Sequence, residues 1–273
     1  MFAAVTLVAV VLSGCTAQGP STESSSGTPE TVTDPSQLVP RPIDNYLPSV
    51  SLGSRLVSAE AAYVSSCLRS KGATEDFREE GDLPAFLEFS IQNRTLRSPL
   101  WGFFDVNTVA SRGYQNPPDA PGALSVTEPT GTTHANVMVC LAAASSAFGG
   151  DGRFAFSLVD PTSLPLGGPQ VPTSSPQVVA VNRQWSKCMA SAGFLYDDPV
   201  SAFQNPEWFS SPHISSLQLL TSQADIKCKL KTNLVGVDQA AQRSSDDAYI
   251  AKNHENLVMR MTSIRSFIAA QQK

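Results

Sequence analysis

Two segments share one pattern, and that pattern most constrains the fold of this 273-residue chain. Trp185 is followed by Cys188, Met189 and Gly193, and upstream Tyr63 is followed by Cys67, Leu68 and Gly72. Separations of three and four residues set the aromatic and the cysteine on one helix face. A glycine five residues beyond the cysteine suits the left-handed position that ends a helix. The pattern predicts two related helical modules, each carrying a cysteine on its buried face.

Four cysteines follow the N-terminal region: Cys67, Cys140, Cys188 and Cys228. An even number of thiols in an exported chain reads as two disulfides, and four cysteines allow three pairings. Cys67–Cys140 with Cys188–Cys228 is preferred, because each module then closes on itself. A 67–188 bond would instead overturn the division into halves. Loop entropy assigns each bridge roughly 4 kcal/mol. Zinc or thioredoxin-type chemistry is not expected without a Cys-x2-Cys pair.

Residues 2–12 are a short apolar run leading into Leu12-Ser13-Gly14-Cys15. Eleven residues are too few to span a bilayer but suit the core of a signal peptide. A leucine, two small residues and a cysteine resemble the bacterial lipobox, which implies cleavage after residue 14 and lipidation (diacylation, palmitate included) of Cys15. No Lys or Arg precedes the run, so the natural start is expected further upstream. Residues 15–52 are rich in Ser, Thr and Pro and read as a disordered tether with a reach of about 30–35 Å. The chain is therefore expected on the outer face of the cell membrane, held by its lipid.

Beyond the tether the sequence divides into a first helical half (53–150), a Pro/Gly-rich joint (151–176) and a second half (177–273) with long C-terminal helices. The fold class is mainly α, in two pseudo-repeated helical halves with one disulfide each. Helices are expected over 56–71, 106–112 (N-cap Asp105, terminator Gly113), 134–148 and 177–192. Residues 73–98 read as an irregular, partly buried connection. Leu217, Leu220, Ala224 and Cys228 form the expected stripe of the next helix, with a break at Gly236. Leu257, Met261, Ile264 and Ile268 form that of the last.

Several of these patterns stand in fixed order: Cys67 with Gly72, Trp101-Gly102 to Gly113-Tyr114, Cys140, Trp185-x2-Cys188-Met189-x3-Gly193-Phe194, and Ala224-Asp225-x2-Cys228. Together they resemble a group of uncharacterised lipoproteins of actinobacterial cell envelopes, over most of residues 56–270. The resemblance implies an exported, lipid-anchored, mostly helical protein and brings no activity, substrate or cofactor.

The formal charge of −5 argues against a nucleic-acid partner, which calls for a basic face. His134, His213 and His254 lie in neither a Gly-x-Ser-x-Gly elbow nor a His-Glu-x2-His motif, so no enzyme, cofactor or metal is expected. His254 reads as a helix-interface residue, Asp197-Asp198-Pro199 as a turn, and Glu79-Glu80 and Asp246-Asp247 as solvated faces. Asp225, three residues before Cys228, is expected to pair structurally. The favoured function is a non-catalytic binding or scaffold component that contacts an envelope protein or cell-wall polymer. The alternative is a lipoprotein that binds a small molecule or wall fragment between its halves, through Trp101, Tyr114, Trp185 and Tyr196.

Overall fold

The structure, a computed structural model, describes residues 28–116, 120–211 and 213–272. The signal segment, Cys15 and the tether up to residue 27 lie outside the described residues. The chain is mainly helical. Its elements are α1 (Val50–Arg69), β1 (Arg78–Glu80), α2 (Leu83–Leu96), β2 (Arg97–Ser98), β3 (Gly102–Phe103), α3 (Val109–Arg112), β4 (Ser125–Thr127), α4 (His134–Phe148), α5 (Pro176–Ser191), α6 (Pro199–Phe203), α7 (Ser216–Thr232) and α8 (Leu234–Gln271). The strands form two small antiparallel pairs, β1 with β4 and β2 with β3. None of the described helices is long and apolar enough to cross a membrane.

Helix starts follow local chemistry. Ser49, Asp82, Thr133, Ser175, Asp198 and Ser215 each accept a backbone N–H of the first turn of the helix that follows. Asp198 thus caps α6, where the sequence suggested only a turn. Gly72 and Gly193 adopt the positive φ that ends the two cysteine-bearing modules.

Both disulfides pair as expected. Cys67 of α1 bonds Cys140 of α4, and Cys188 of α5 bonds Cys228 of α7, with Cα–Cα distances of 5.8 and 5.6 Å. Packing does not follow the sequence halves, however. One core joins α1, α4 and Ala155–Leu158 to Met261, Ile264, Phe267 and Ile268 at the far end of α8. The other joins α5, α6 and α7 to Leu100–Tyr114, contributed by the first half, and to Leu234 and Val235 at the near end of α8. Helix α8 has 38 residues and so extends roughly 57 Å, enough to serve both cores.

Three sequence expectations are corrected. Residues 28–52 do not belong to a disordered tether: 28–49 form an arm laid along α8, with Val32, Ile43 and Leu47 buried, and 50–52 open α1. Composition misled because a few apolar residues, set at contact points, anchor a Pro-rich segment. Residues 151–176 are not a loose joint either, since Ala155, Leu158 and Val159 are buried in a short 3-10 turn and Leu164 is buried between two more. Finally, 83–96 is a regular helix begun by Asp82 and Pro84.

The break between α7 and α8 falls at Asn233, in the left-handed conformation, rather than at Gly236. Asn233 also holds the arm: its Oδ1 accepts from Val32 N at 3.1 Å, and its Nδ2 donates to Glu30 O at 3.2 Å. Gly236 lies inside α8, where an added Cβ would overlap Glu30 O and crowd the Asn233 side chain. In Gly236→Ala, the about 1 kcal/mol gain in helix propensity is expected to be offset by loss of the arm's first contacts. The Val32 amide should then exchange with solvent like that of an unstructured peptide. Unchanged protection would show that the arm does not depend on this approach.

Candidate functional site

Two polar constellations stand out, one sealed and one open. The sealed one lies on α7, whose buried face differs from the expected stripe. Leu217 and Leu220 are exposed, while Gln218, Thr221, Ser222, Asp225 and Lys229 face inward with Ile226 and Cys228. The polar residues turn inward because partners await them. Trp185 Nε1 donates to Asp225 Oδ1 at 3.0 Å, and Tyr114 Oη donates to Asp225 Oδ2 at 3.1 Å. Lys229 Nζ donates to Asp225 Oδ2 and to the carbonyl of Phe103, each at 2.6 Å.

Burial pushes the Asp225 carboxyl up and the Lys229 ammonium down, and their mutual attraction opposes both shifts. Three donors converging on one carboxylate favour its charged form. Asp238, fully buried with neither oxygen hydrogen-bonded among the described residues, is pushed by burial up to about 8. Arg97 completes this region, with its guanidinium 5.1 Å from the ring centres of both Phe103 and Phe203.

Of the four aromatics expected at a pocket, Tyr114 and Trp185 are therefore core residues fully occupied with Asp225. Tyr196 is half-buried, and its hydroxyl accepts from Asn205 Nδ2 at 3.3 Å. Only Trp101 lines the open site.

That site is a cleft of about 60 Å³ where the arm, the segment from the end of α2 to Trp101, and α8 meet. It thus lies between the two sequence halves, with the arm as a third wall. Leu38, Pro40, Pro99 and Trp101 supply apolar surface, and Arg41, Arg94 and Arg243 supply charge. Arg41 grips Asp246 through Nε at 2.9 Å and Nη2 at 2.6 Å, and Gln242 Nε2 donates to Asp246 Oδ1 at 2.9 Å. Arg94 Nη2 donates to Asp44 Oδ1 at 2.9 Å and also reaches the Val159 carbonyl through Nη1. Arg243 is exposed and makes no ion pair among the described residues. Arg41 and Arg94 face the carboxylates of Asp246 and Asp44, and Asp160 also lies near Arg94, so Arg243 is the one lining guanidinium with no ion pair among the described residues. The indole N–H of Trp101 is buried without an acceptor among the described residues. No protein family matches the chain, and neither a curated protein nor a solved structure does.

Asp246, read as part of a solvated face, is thus the buried anchor of the arm, whereas His254 meets the arm through Tyr46 Oη at 3.1 Å. Among the described residues no cluster of His, Cys, Asp and Glu is arranged to hold a metal ion. Arg41 escaped notice because its surroundings read as tether. Arg94 escaped because it sat in a stretch without visible periodicity.

A second acidic feature was also hidden. Glu60, on the buried stripe of α1, accepts from Ala155 N at 3.0 Å through Oε2 and lies beside Glu79 of β1. Burial, with repulsion from Glu79, raises Glu60 to about 8, and burial raises Glu79 to about 7. Above the ordinary value of 4.5 and below these raised values, the folded state binds more protons than the unfolded one. Stability therefore falls as pH rises from about 4.5 to about 8. Glu60→Gln keeps an acceptor for Ala155 and removes one charge. It should gain about 2 kcal/mol at pH 8.5, or about 4–8 °C in Tm, and flatten the decline; Asp238 sustains the remaining slope. A Tm of Glu60→Gln parallel to that of the parent from pH 5 to 8.5 would remove this account.

Proposed function

We propose that the chain is an exported, lipid-anchored envelope protein whose folded body binds a small molecule or wall fragment without transforming it. The observation that carries the binding reading is the cleft between arm, α2 and α8, where fixed arginines and apolar walls converge. Concave sites of mixed apolar surface with a few placed polar groups are the usual form of ligand pockets. Two disulfides support life in an oxidising compartment, and the lipobox resemblance supports attachment through Cys15. The likeness to actinobacterial envelope lipoproteins fits the same address.

Anchoring predicts incorporation of labelled palmitate into the full chain and none into Cys15→Ser. Binding predicts that protein released gently from its own envelope retains a small molecule in native mass spectrometry. Gln239→Trp, which fills the cleft from α8, should abolish that retention. Retention unaffected by the filled cleft would place the ligand elsewhere.

Leu217 and Leu220, one turn apart on α7 and each more than half exposed, favour a second reading. In it the body docks on an envelope protein or wall polymer. A photo-crosslinker at position 217 that captures one partner in intact envelope supports docking, and the same yield from an exposed control position rejects it.

A further inference from the structure

We propose that the cleft takes a small organic carboxylate, with Arg243 as the pairing group and Trp101 as a wall for its hydrocarbon part. The inference rests on the cleft being the ligand site, and charge is its first support. Arg41 and Arg94 are each committed to a carboxylate of the protein, which fixes them as cationic walls. Of these three arginines, only Arg243 has no ion pair among the described residues. It shares a face of α8 with Gln239, four residues before it, and both line the cleft. A guanidinium presents a planar fork that matches a carboxylate.

The single guanidinium without a carboxylate partner decides between anions. A monoanion pairs with it. A dianionic phosphate would bring a second charge with no free guanidinium to meet it, beside Asp44, Asp246 and Asp160. A cation would face three guanidiniums at close range.

Size and surface set the rest of the ligand. The cleft, about 60 Å³ in volume, suits a short hydrocarbon chain lodged against its walls. Leu38, Pro40, Pro99 and Trp101 reward a hydrocarbon body, at about 0.8 kcal/mol per buried CH2. The buried Trp101 N–H, without an acceptor among the described residues, gives this wall a ready spectroscopic reporter.

The test follows the indole N–H resonance of Trp101 in the full chain, with its other tryptophans assigned, during titration with butyrate, inorganic phosphate, butyramide and butylamine. Butyrate should give a saturable shift with millimolar affinity, about tenfold tighter than phosphate, and butylamine should give none. Arg243→Gln should weaken butyrate about tenfold with an unchanged Tm, because Arg243 is exposed and makes no ion pair among the described residues. Arg243→Lys should restore part of the loss. Equal affinity for phosphate and butyrate, or butyrate binding indifferent to Arg243→Gln, overturns the carboxylate assignment. A shift with butyramide but not butyrate overturns it too, while leaving the cleft as a ligand site. Saturation by none of the probes overturns it together with the binding reading of the cleft.

Discussion

Replacing Asp225 by Ala should destabilise the protein by about 3–5 kcal/mol, because it strands a buried charge. Asp225 and Lys229 are both completely enclosed. Without the carboxylate, the Lys229 ammonium keeps only the Phe103 carbonyl as a hydrogen-bond acceptor, with the carboxyl of Asp238 nearby, and the Trp185 N–H and Tyr114 O–H lose their acceptor. Each abandoned donor costs about 1–3 kcal/mol on its own. For a body of this size the loss corresponds to a fall in Tm of roughly 2–4 °C per kcal/mol. Asp225→Leu combined with Lys229→Met removes both charges and fills the space with apolar atoms. The pair should recover much of the stability lost by either single change. Urea unfolding followed by tryptophan fluorescence and far-UV circular dichroism reads both results. A double variant no more stable than Asp225→Ala would mean that the hydrogen bonds of Asp225, rather than charge balance, hold this core.

The second large effect belongs to the disulfides. Cys67 and Cys140 are 73 residues apart, and Cys188 and Cys228 are 40 apart. Loop entropy then gives about 4 kcal/mol for each bridge. Paired replacement by serine should therefore lower stability by that amount in each case. The two bridges serve different cores, so removing both should cost nearly the sum. Cys188→Ser with Cys228→Ser should raise hydrogen exchange first around α5 and α7, where Trp185 and Asp225 meet. Cys67→Ser with Cys140→Ser should do so around α1 and α4. A reductant that leaves Tm unchanged would take away the role assigned to both bridges.

Short-range rules made much of this molecule legible. Cys140 on a helix running from His134 to Phe148, the module ends at Gly72 and Gly193, and the Leu257–Ile268 stripe follow from spacing and propensity alone. The disulfide pairing also follows once each module is assumed to close on itself. Asp225 was recognisable as a pairing residue because it shares a helix face with Cys228, and Lys229 four residues on is its natural partner.

Other features depended on contacts that no local pattern encodes. Leu217 and Leu220 look like a core stripe until Tyr114 and Trp185 arrive from elsewhere in the chain and draw the polar face of α7 inward. Glu60 looks like a solvated acid until β1 and the turn at Ala155 cover it. The arm reads as tether because Val32, Ile43 and Leu47 are sparse, and only the length of α8 reveals a surface on which to seat them.

The residue order by itself determined a mainly helical chain, closed by two oxidised cysteine pairs within related modules. Helix caps, helix faces and loop closure act over short stretches or through a single bond, so they are visible one segment at a time. Tertiary structure alone decided that the two modules exchange segments, that one 38-residue helix serves both cores, and that an arm completes a cationic cleft. Those outcomes depend on burial and charge pairing between residues as distant as Arg41 and Asp246, which meet only after the chain has folded.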